Sequence, residues 1–297
     1  MAGEIINRLN VGHVVNVKLT DSAVTNGQNL VDAYNYAKTL TPNGAALSAT
    51  NRVSVIIQPG NYTLAAQLTV DTQFVDLIGL GAVKLRRGAV PAVIISGNNL
   101  NVTANDVRIK GISLGSQLIV INSNLPLQIF EDCVGGSNSF NTLTISGTFI
   151  NCNGGTGSFG SGSFITFNAA GTFINCSVNG LAFGSGSSGS SATGLFINCT
   201  SGTGAGFGGN NGNTASGTFI DCEGGSNSFG GTVFSASTAS GTFTNCIGGS
   251  NSFGGGSNGV ASGKFYQCRL TSGTFKTVTS GGLMRNCIDG NDNIVDQ

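Results

Sequence analysis

The sequence predicts an all-β fold, a single-stranded parallel β-helix with about 23 residues in each coil. Three observations carry this prediction. Cysteines recur every 19 to 24 residues, at Cys133, Cys152, Cys176, Cys199, Cys222, Cys246, Cys268 and Cys287. Phenylalanine, asparagine and glycine keep nearly fixed offsets from these cysteines. Glycine supplies 48 of the 297 residues and separates short apolar runs, whereas helical repeats need longer periods and strong helix formers.

Each repeat indicates which side chains face the interior. The segments GTFIDC (217–222) and GTFTNC (241–246) place Phe three residues before Cys, with Asp or Asn between them at a corner. Asn suits such a corner because it tolerates positive φ and its amide can bond from coil to coil. Phe and Cys then form an inward-facing core ladder, which comprises Phe149, Phe173, Phe196, Phe219, Phe243, Cys152, Cys176, Cys199, Cys222 and Cys246.

A row of isoleucines is predicted on the outside of the same coils. The residue after each inward Phe points outward because side chains alternate along a strand. At four successive coils this residue is isoleucine, at Ile150, Ile174, Ile197 and Ile220. Exposed apolar rows of this kind favour burial against another copy of the chain, so we expect these residues to form an oligomer interface.

The chain divides into three segments. The coils are expected over 53–297, beginning at the strand-like run VSVIIQ. Segment 23–52 contains helical apolar spacing over 26–40 and is expected to cap the open first coil, with a linker after it. Segment 1–22 reads as an extended N-terminal arm that pairs with a neighbour or attaches to a larger body.

Composition excludes several classes of partner. Only 9% of the residues are charged and the formal net charge is zero, so neither nucleic acid nor a membrane surface is indicated. No apolar run is long enough for membrane insertion, and the first residues lack the features of a signal peptide. We therefore expect synthesis in a cytoplasm, and we expect the cysteines to stay reduced rather than form disulfides.

The N-terminal third resembles a known family. The helix-like NGQNLVDAYNYAKTL (26–40) is followed by VSVIIQPGNYTL (53–64) and LTVDTQFVDLIGLG (68–81). This order is similar to the opening of pectate-lyase-like right-handed parallel β-helices of the bacteriophage tailspike type. The turn before the helix is reduced here to Asn26–Gly27, while the Pro-Gly-Asn-Tyr of 59–62 is retained. The motifs cover about residues 15–120, and the rest resembles the family only in its repeat architecture.

The resemblance implies a function as well as a fold. Phage members of this group are typically homotrimers, attached to the virion by their N-terminal part, that bind host-surface glycans. We therefore expect a virion tailspike or tail fibre protein that forms a homotrimer and mediates host attachment. Its arm, 1–22, would dock to other virion tail proteins, and its receptor would be a host cell-surface glycan.

Catalytic groups are scarce. Some members of the group cleave glycans, and that chemistry needs paired carboxylates or a base. The candidates are Glu131, Asp132, Asp221 and Glu223, and no Lys or Arg occurs between residues 111 and 263. The two pairs are expected about 19 Å apart, four coils along the rod, so they cannot work together within one chain. Asp132 and Asp221 also occupy the corner position, which favours a structural role.

No cofactor or metal is indicated. His13 is the only histidine, so the cysteines have no histidine partners for zinc. The glycine turns GGSNSFGG lack the Asp with which calcium-binding glycine repeats hold their ion. The sequence therefore favours attachment without strong enzymatic activity.

Three alternatives stay open. The first is a glycan-cleaving tailspike, hydrolase or lyase, with an acidic site built between subunits. The second is a capsid decoration or head fibre protein without a receptor. The third, ice binding, needs an unbroken threonine array, and the position before each Phe is interrupted at Leu195 and Lys264.

Overall fold

The chain folds into a parallel β-solenoid with about 23 residues in each turn. The computed structural model describes residues 13–85, 87–114, 117, 119–121, 126–141, 144–159, 167–185, 189–202, 206–209, 212–231, 236–256, 258–279 and 281–297. Sheet 1 runs along the whole rod and has twelve parallel strands. They are His13–Asn16, Val53–Ile57, Val75–Gly79, Arg108–Lys110, Ile129–Glu131, Thr148–Ile150, Thr172–Ile174, Leu195–Ile197, Thr218–Ile220, Thr242–Thr244, Lys264–Tyr266 and Leu283–Arg285.

Shorter strands build the other faces. Sheet 2 follows the corner after sheet 1 and consists of three groups in coil order. They are Gly60–Thr63, Val93–Ser96 and Ile112–Ser113; Asn153–Gly154, Ser177–Val178 and Thr200–Ser201; and Ile247–Gly248, Arg269–Leu270, Cys287–Ile288 and Ile294–Val295. Isolated bridges through Val134 and Glu223 join these groups. Ile294–Val295 pairs antiparallel with Cys287–Ile288 and turns the chain back at its C-terminal coil.

Two further sheets close the coils. Leu68–Val70, Leu100–Val102 and Ile119–Ile121 form sheet 3, which has three strands and lies in the early coils. Sheet 4 has six two-residue strands in the later coils: Thr144–Ile145, Asn168–Ala169, Ser191–Ala192, Thr214–Ala215, Thr238–Ala239 and Val260–Ala261. Its inward residues are small, since five of the six are alanine, and all are buried.

Helix α1, Ala23–Ala37, covers the first coil. Its N-terminus is capped by the Ser22 hydroxyl, which accepts a hydrogen bond of 3.2 Å from the Thr25 N–H. Its buried face packs on Gly60–Thr63, Val53–Ile57 and His13–Asn16. The turn expected at Asn26–Gly27 is instead inside this helix, which begins three residues earlier than its apolar spacing indicated. A short 3₁₀ turn, Pro42–Gly44, follows.

The described part of the N-terminal arm contains the first strand of the solenoid. His13–Asn16 pairs in parallel with Val53–Ile57, in the register His13 to Val53. The chain then leaves sheet 1 to form α1 and returns to it at Val53. Residues 1–12 of the expected arm lie outside the described residues.

Two phenylalanine ladders fill the interior of the later coils. One comprises Phe130, Phe149, Phe173, Phe196, Phe219, Phe243 and Phe265, and the other Phe140, Phe159, Phe183, Phe207, Phe229 and Phe253. Rings within a ladder stack almost parallel, for example Phe196 on Phe219 with centroids 4.9 Å apart. Rings of different ladders meet edge to face, as Phe196 does with Phe207 at 5.6 Å. The stacking distance matches the spacing of parallel strands, so aromatic contact and strand pairing reinforce each other.

The phenylalanines of the second ladder have an unusual backbone conformation. All six of its phenylalanines have φ between 49° and 57°, which is the left-handed region. A bulky side chain in this region costs roughly 1–3 kcal/mol, so the stacked rings must hold it there. The corner residues Asp132, Asn151, Asn175, Asn198 and Asp221 also have positive φ, as the corner requires.

An antiparallel hairpin projects from the early coils. Its strands are Val83–Lys84 and Ala89–Val90, and the Leu85 N–H donates to the Gly88 carbonyl at 3.0 Å to close the turn. Gly88 lies against the side chain of Asn153, a sheet 2 residue three coils further along the rod, so the hairpin lies along the rod over the corner between sheets 1 and 2.

Candidate functional site

The isoleucine row lies on the outer face of sheet 1. Ile150, Ile174, Ile197 and Ile220 are direct neighbours in register, and each is partly exposed. Beside them on the same face lie Thr148, Thr172, Leu195, Thr218 and Thr242. Five successive strands therefore present a face of methyl and hydroxyl groups without a charge.

The cysteines lie inside the rod and are free thiols. Each hydrogen-bonds to backbone carbonyls, as the Cys152 Sγ does to Phe130 and Ile150, both at 3.4 Å. Burial raises the pKa of Cys133 and Cys152 well above the usual value for a thiol. Thiols of this kind are poor nucleophiles, so their contribution is to core packing.

The corner residues form a hydrogen-bonded ladder with a direction. The Asn151 amide donates to the Asp132 carboxylate at 2.9 Å, and each later Asn amide donates to the amide oxygen one coil before it. This first segment ends at Asn198. A second segment begins at Asp221, which accepts from the Asn245 amide at 2.7 Å. An aspartate can begin a segment because its carboxylate accepts the hydrogen bond from the Asn of the next coil. It cannot continue the preceding segment, because a carboxylate has no N–H to donate to the Asn of the coil before it.

Glu131 and Asp132 are held in an ion-pair network. The Glu131 carboxylate accepts from Lys110 Nζ at 2.7 Å and from Arg108, and Lys84 Nζ lies 3.6 Å from it. Lys84 and Lys110 also lie within 4.0 Å of the Asp132 carboxylate. Glu131 points away from the core, yet these cations cover it and leave its side chain 9% exposed.

The network makes Glu131 a poor proton donor. Burial opposes its ionisation, but hydrogen bonds from Lys110 and Arg108 outweigh that cost and lower its pKa to about 2. A general acid for glycan cleavage needs a raised pKa instead. A cavity of about 530 Å³ adjoins the network and is lined by Ile56, Ile78, Leu80, Lys84, Arg108, Lys110 and Asp132, among others.

Glu223 receives its cation, Arg87, from the hairpin. Arg87 Nη1 lies 2.7 Å from the Glu223 carboxylate, and Arg87 Nε donates to the Asn198 amide oxygen at 3.0 Å. The Glu223 side chain is half exposed. These residues line a second cavity, of about 400 Å³, together with Asp221, Cys222, Asn245 and Ile247.

The two acidic pairs are remote from each other. Ile129–Glu131 and Thr218–Ile220 are separated by four strand-to-strand steps in sheet 1, which corresponds to about 19 Å. Cleavage by two carboxylates needs a separation of about 5–10 Å. Glu131 and Asp132 therefore cannot act on one glycosidic bond together with Asp221 or Glu223 of the same chain.

Other site types are not found among the described residues. That part of the chain contains no group of three or more His, Cys, Asp or Glu side chains arranged to hold a metal ion. His13 lies exposed on the first strand of sheet 1, at the opposite end of the sheet from the last coils. Within the described ranges, no helix is both long and apolar enough to span a membrane.

Sequence reasoning missed the hairpin and Arg87. A signal for the hairpin was present in the coil lengths. Leu77 pairs with Val55 and with Ile109, which lie 22 residues before it and 32 after it, and the next step, Ile109 to Phe130, is 21 residues. One coil therefore carries about ten extra residues. The position of Arg87 beside Asn198 and Glu223 depends on the direction in which the hairpin lies along the rod. The sequence contains no signal for this direction.

The chain matches no family model, curated protein or solved structure to which it was compared.

Proposed function

We propose that the chain is a bacteriophage tailspike or tail fibre protein, a homotrimeric rod that attaches the virion to a host-surface glycan without cleaving it. The observation that carries the proposal is the uncharged outer face of sheet 1, with its in-register isoleucine row. Soluble proteins seldom leave such a face open, and other copies of the chain packed side by side around a threefold axis would cover it.

The state of the carboxylates supports attachment rather than cleavage. Glu131 and Asp132 are neutralised by Lys84 and Lys110, and Glu223 is paired with Arg87. For glycan contact, sheet 4 offers partly exposed neutral side chains in register, namely Thr144, Asn168, Ser191, Thr214 and Thr238. Hydroxyl and amide groups bond sugar hydroxyls without requiring a charged ligand.

The N-terminal arm is assigned to the virion in this proposal. Because His13–Asn16 already pairs with Val53–Ile57, docking to other virion tail proteins falls to residues 1–12. The protein would be made in the host cytoplasm and incorporated into the particle there.

Self-association is tested by light scattering on the purified chain. We expect a mass three times the chain mass of 29.9 kDa. Ile174→Asp together with Ile197→Asp should dissociate the assembly while each coil stays folded, because both side chains lie outside the core. Ser191→Asp together with Thr214→Asp is the matched control, since it adds the same two charges in neighbouring coils of sheet 4. A stable wild-type monomer would refute the trimer.

Attachment is tested with fluorescently labelled protein on a panel of bacterial strains and on their purified surface polysaccharides. We expect binding to at least one strain, lost after periodate oxidation of the cell-surface sugars, with no release of reducing ends or unsaturated sugars. Release that disappears in Glu131→Gln or Asp221→Asn would instead establish the inter-subunit enzyme. Absence of binding throughout, with immunogold label on the capsid, would establish a decoration or head fibre protein.

A further inference from the structure

The hydrogen-bonded row of corner residues, here called the asparagine ladder, is interrupted between Asn198 and Asp221. The turn of the hairpin lies at this interruption, the ladder break. Along the first segment each amide oxygen accepts from the Asn of the next coil, at 2.9–3.0 Å. At Asn198 the next corner residue is Asp221, whose carboxylate has no N–H to donate. Arg87 Nε donates to the Asn198 oxygen instead, at 3.0 Å.

Arg87 also makes two contacts beyond the break. One guanidinium nitrogen pairs with the Glu223 carboxylate at 2.7 Å, and the other lies 3.5 Å from the Asp221 carbonyl. No Lys or Arg occurs in the sequence from 111 to 263, so the coils around Asp221 have no cation of their own. Arg87 bridges 136 residues of sequence to supply one.

The rest of the hairpin is held mainly by polar contacts. Near its root, Lys84 faces Glu131 and Asp132. At its turn, a Cβ on Gly88 would lie 1.7 Å from the Asn153 side-chain oxygen, so only glycine permits this approach. Ala89 is buried, whereas Val83, Leu85 and Val90 are 61%, 49% and 55% exposed.

We propose that residues 80–85 and 87–91 form a releasable strap, latched by Arg87 onto the ladder break at Asp221, that covers the corner groove between sheets 1 and 2. Little apolar area holds the strap down, so its closed state depends on the Arg87 contacts, on Lys84 and on the Asn153 amide, which donates to the Ala89 carbonyl at 3.4 Å. Its release would join the cavity at the root, about 530 Å³, to the one at the tip, about 400 Å³, along the row of corner residues from Asp132 to Asn198. The inference does not depend on what the protein attaches to.

The latch is tested by limited tryptic digestion of the full chain, with cleavage after Lys84, Arg86 and Arg87 followed by mass spectrometry. Cleavage of a locally opening segment tracks the population of its open form. Glu223→Gln removes the ion pair, and we expect cleavage in the strap to become up to about fivefold faster at low salt, as loss of a half-exposed ion pair allows. In 0.5 M salt the wild type should approach the variant, because the exposed pair is screened.

A second variant isolates the ladder break. Asp221→Asn restores an amide that competes with Arg87 for the Asn198 oxygen, so strap cleavage should rise several-fold although Glu223 is intact. Asp292→Asn is the matched control, because it breaks the Arg269 ion pair at the far end of the rod and should leave strap cleavage unchanged. Cleavage after Lys264 in the same molecules reports any general unfolding. Wild-type rates in Glu223→Gln, or a wild-type strap cut as fast as a free peptide of residues 80–92, would overturn the proposal.

Discussion

The two phenylalanine ladders should respond in opposite ways to glycine. Phe196 lies in a regular strand, whereas Phe207 has φ of 50°. Their surroundings match closely: each is fully buried, stacks on two rings at 4.8–4.9 Å and meets two more edge to face at 5.6–5.8 Å. Truncation to alanine should therefore cost a similar amount at both, about 3–5 kcal/mol.

Replacing that alanine by glycine separates the contribution of the backbone conformation to the free energy of unfolding from the contribution of ring packing. In the strand, Phe196→Gly should be about 0.5–1 kcal/mol less stable than Phe196→Ala, because glycine loses more conformational freedom on folding. At position 207 the order should reverse by about 1 kcal/mol, since alanine is strained at positive φ and glycine is not. Urea unfolding midpoints of the four variants measure both differences. The same sign at both positions would refute the claim that ring stacking holds the second ladder in a strained backbone.

Three other predictions concern charge, the capping helix and the thiols. The lowered pKa of Glu131 should stabilise the fold by about 3 kcal/mol above pH 4.5, and this is lost as the pH falls towards 2; Glu131→Gln should flatten the urea-midpoint profile in that window. Gly27→Ala should lower the thermal midpoint by several degrees, because its Cβ would lie 2.0 Å from the Thr63 carbonyl oxygen, whereas exposed Val24→Ala should not. A thiol reagent should label none of the eight cysteines in the native protein and all eight in urea.

The repeat made the coil architecture predictable because its spacing is a direct consequence of stacking. Once coils of about 23 residues lie on one another, like residues must meet, so a periodic Phe in sequence becomes a column of rings in space. The pairing of Phe149 with Phe173 and of Ile150 with Ile174 follows this rule. The positive φ of Phe207 does not follow from this rule, because a side chain can point inward from either a strand or a left-handed backbone.

The acidic residues show where such reasoning stops. Their position in the coil was predictable, and so was the distance between the two pairs. Their electrostatic surroundings were not, because these depend on side chains from other coils. Lys84 and Lys110 reach Glu131 from two different segments, and only the folded rod brings them together. A residue that the repeat places on the outside is consequently buried by its cations.

The ten-residue insertion and the departure from the repeat at Asp221 and Glu223 form one structural unit. Asp221 interrupts the asparagine ladder, and Glu223 adds an anion in a stretch that has no cation of its own. Arg87 donates to the Asn198 oxygen at the interruption and also pairs with Glu223. Glu223 is half exposed, so the ion pair alone contributes at most about 1 kcal/mol to stability. So small a contribution to stability does not explain an ion pair between residues 136 positions apart in the sequence. A strap that opens and closes explains both the long distance in sequence and the small energy of the contact.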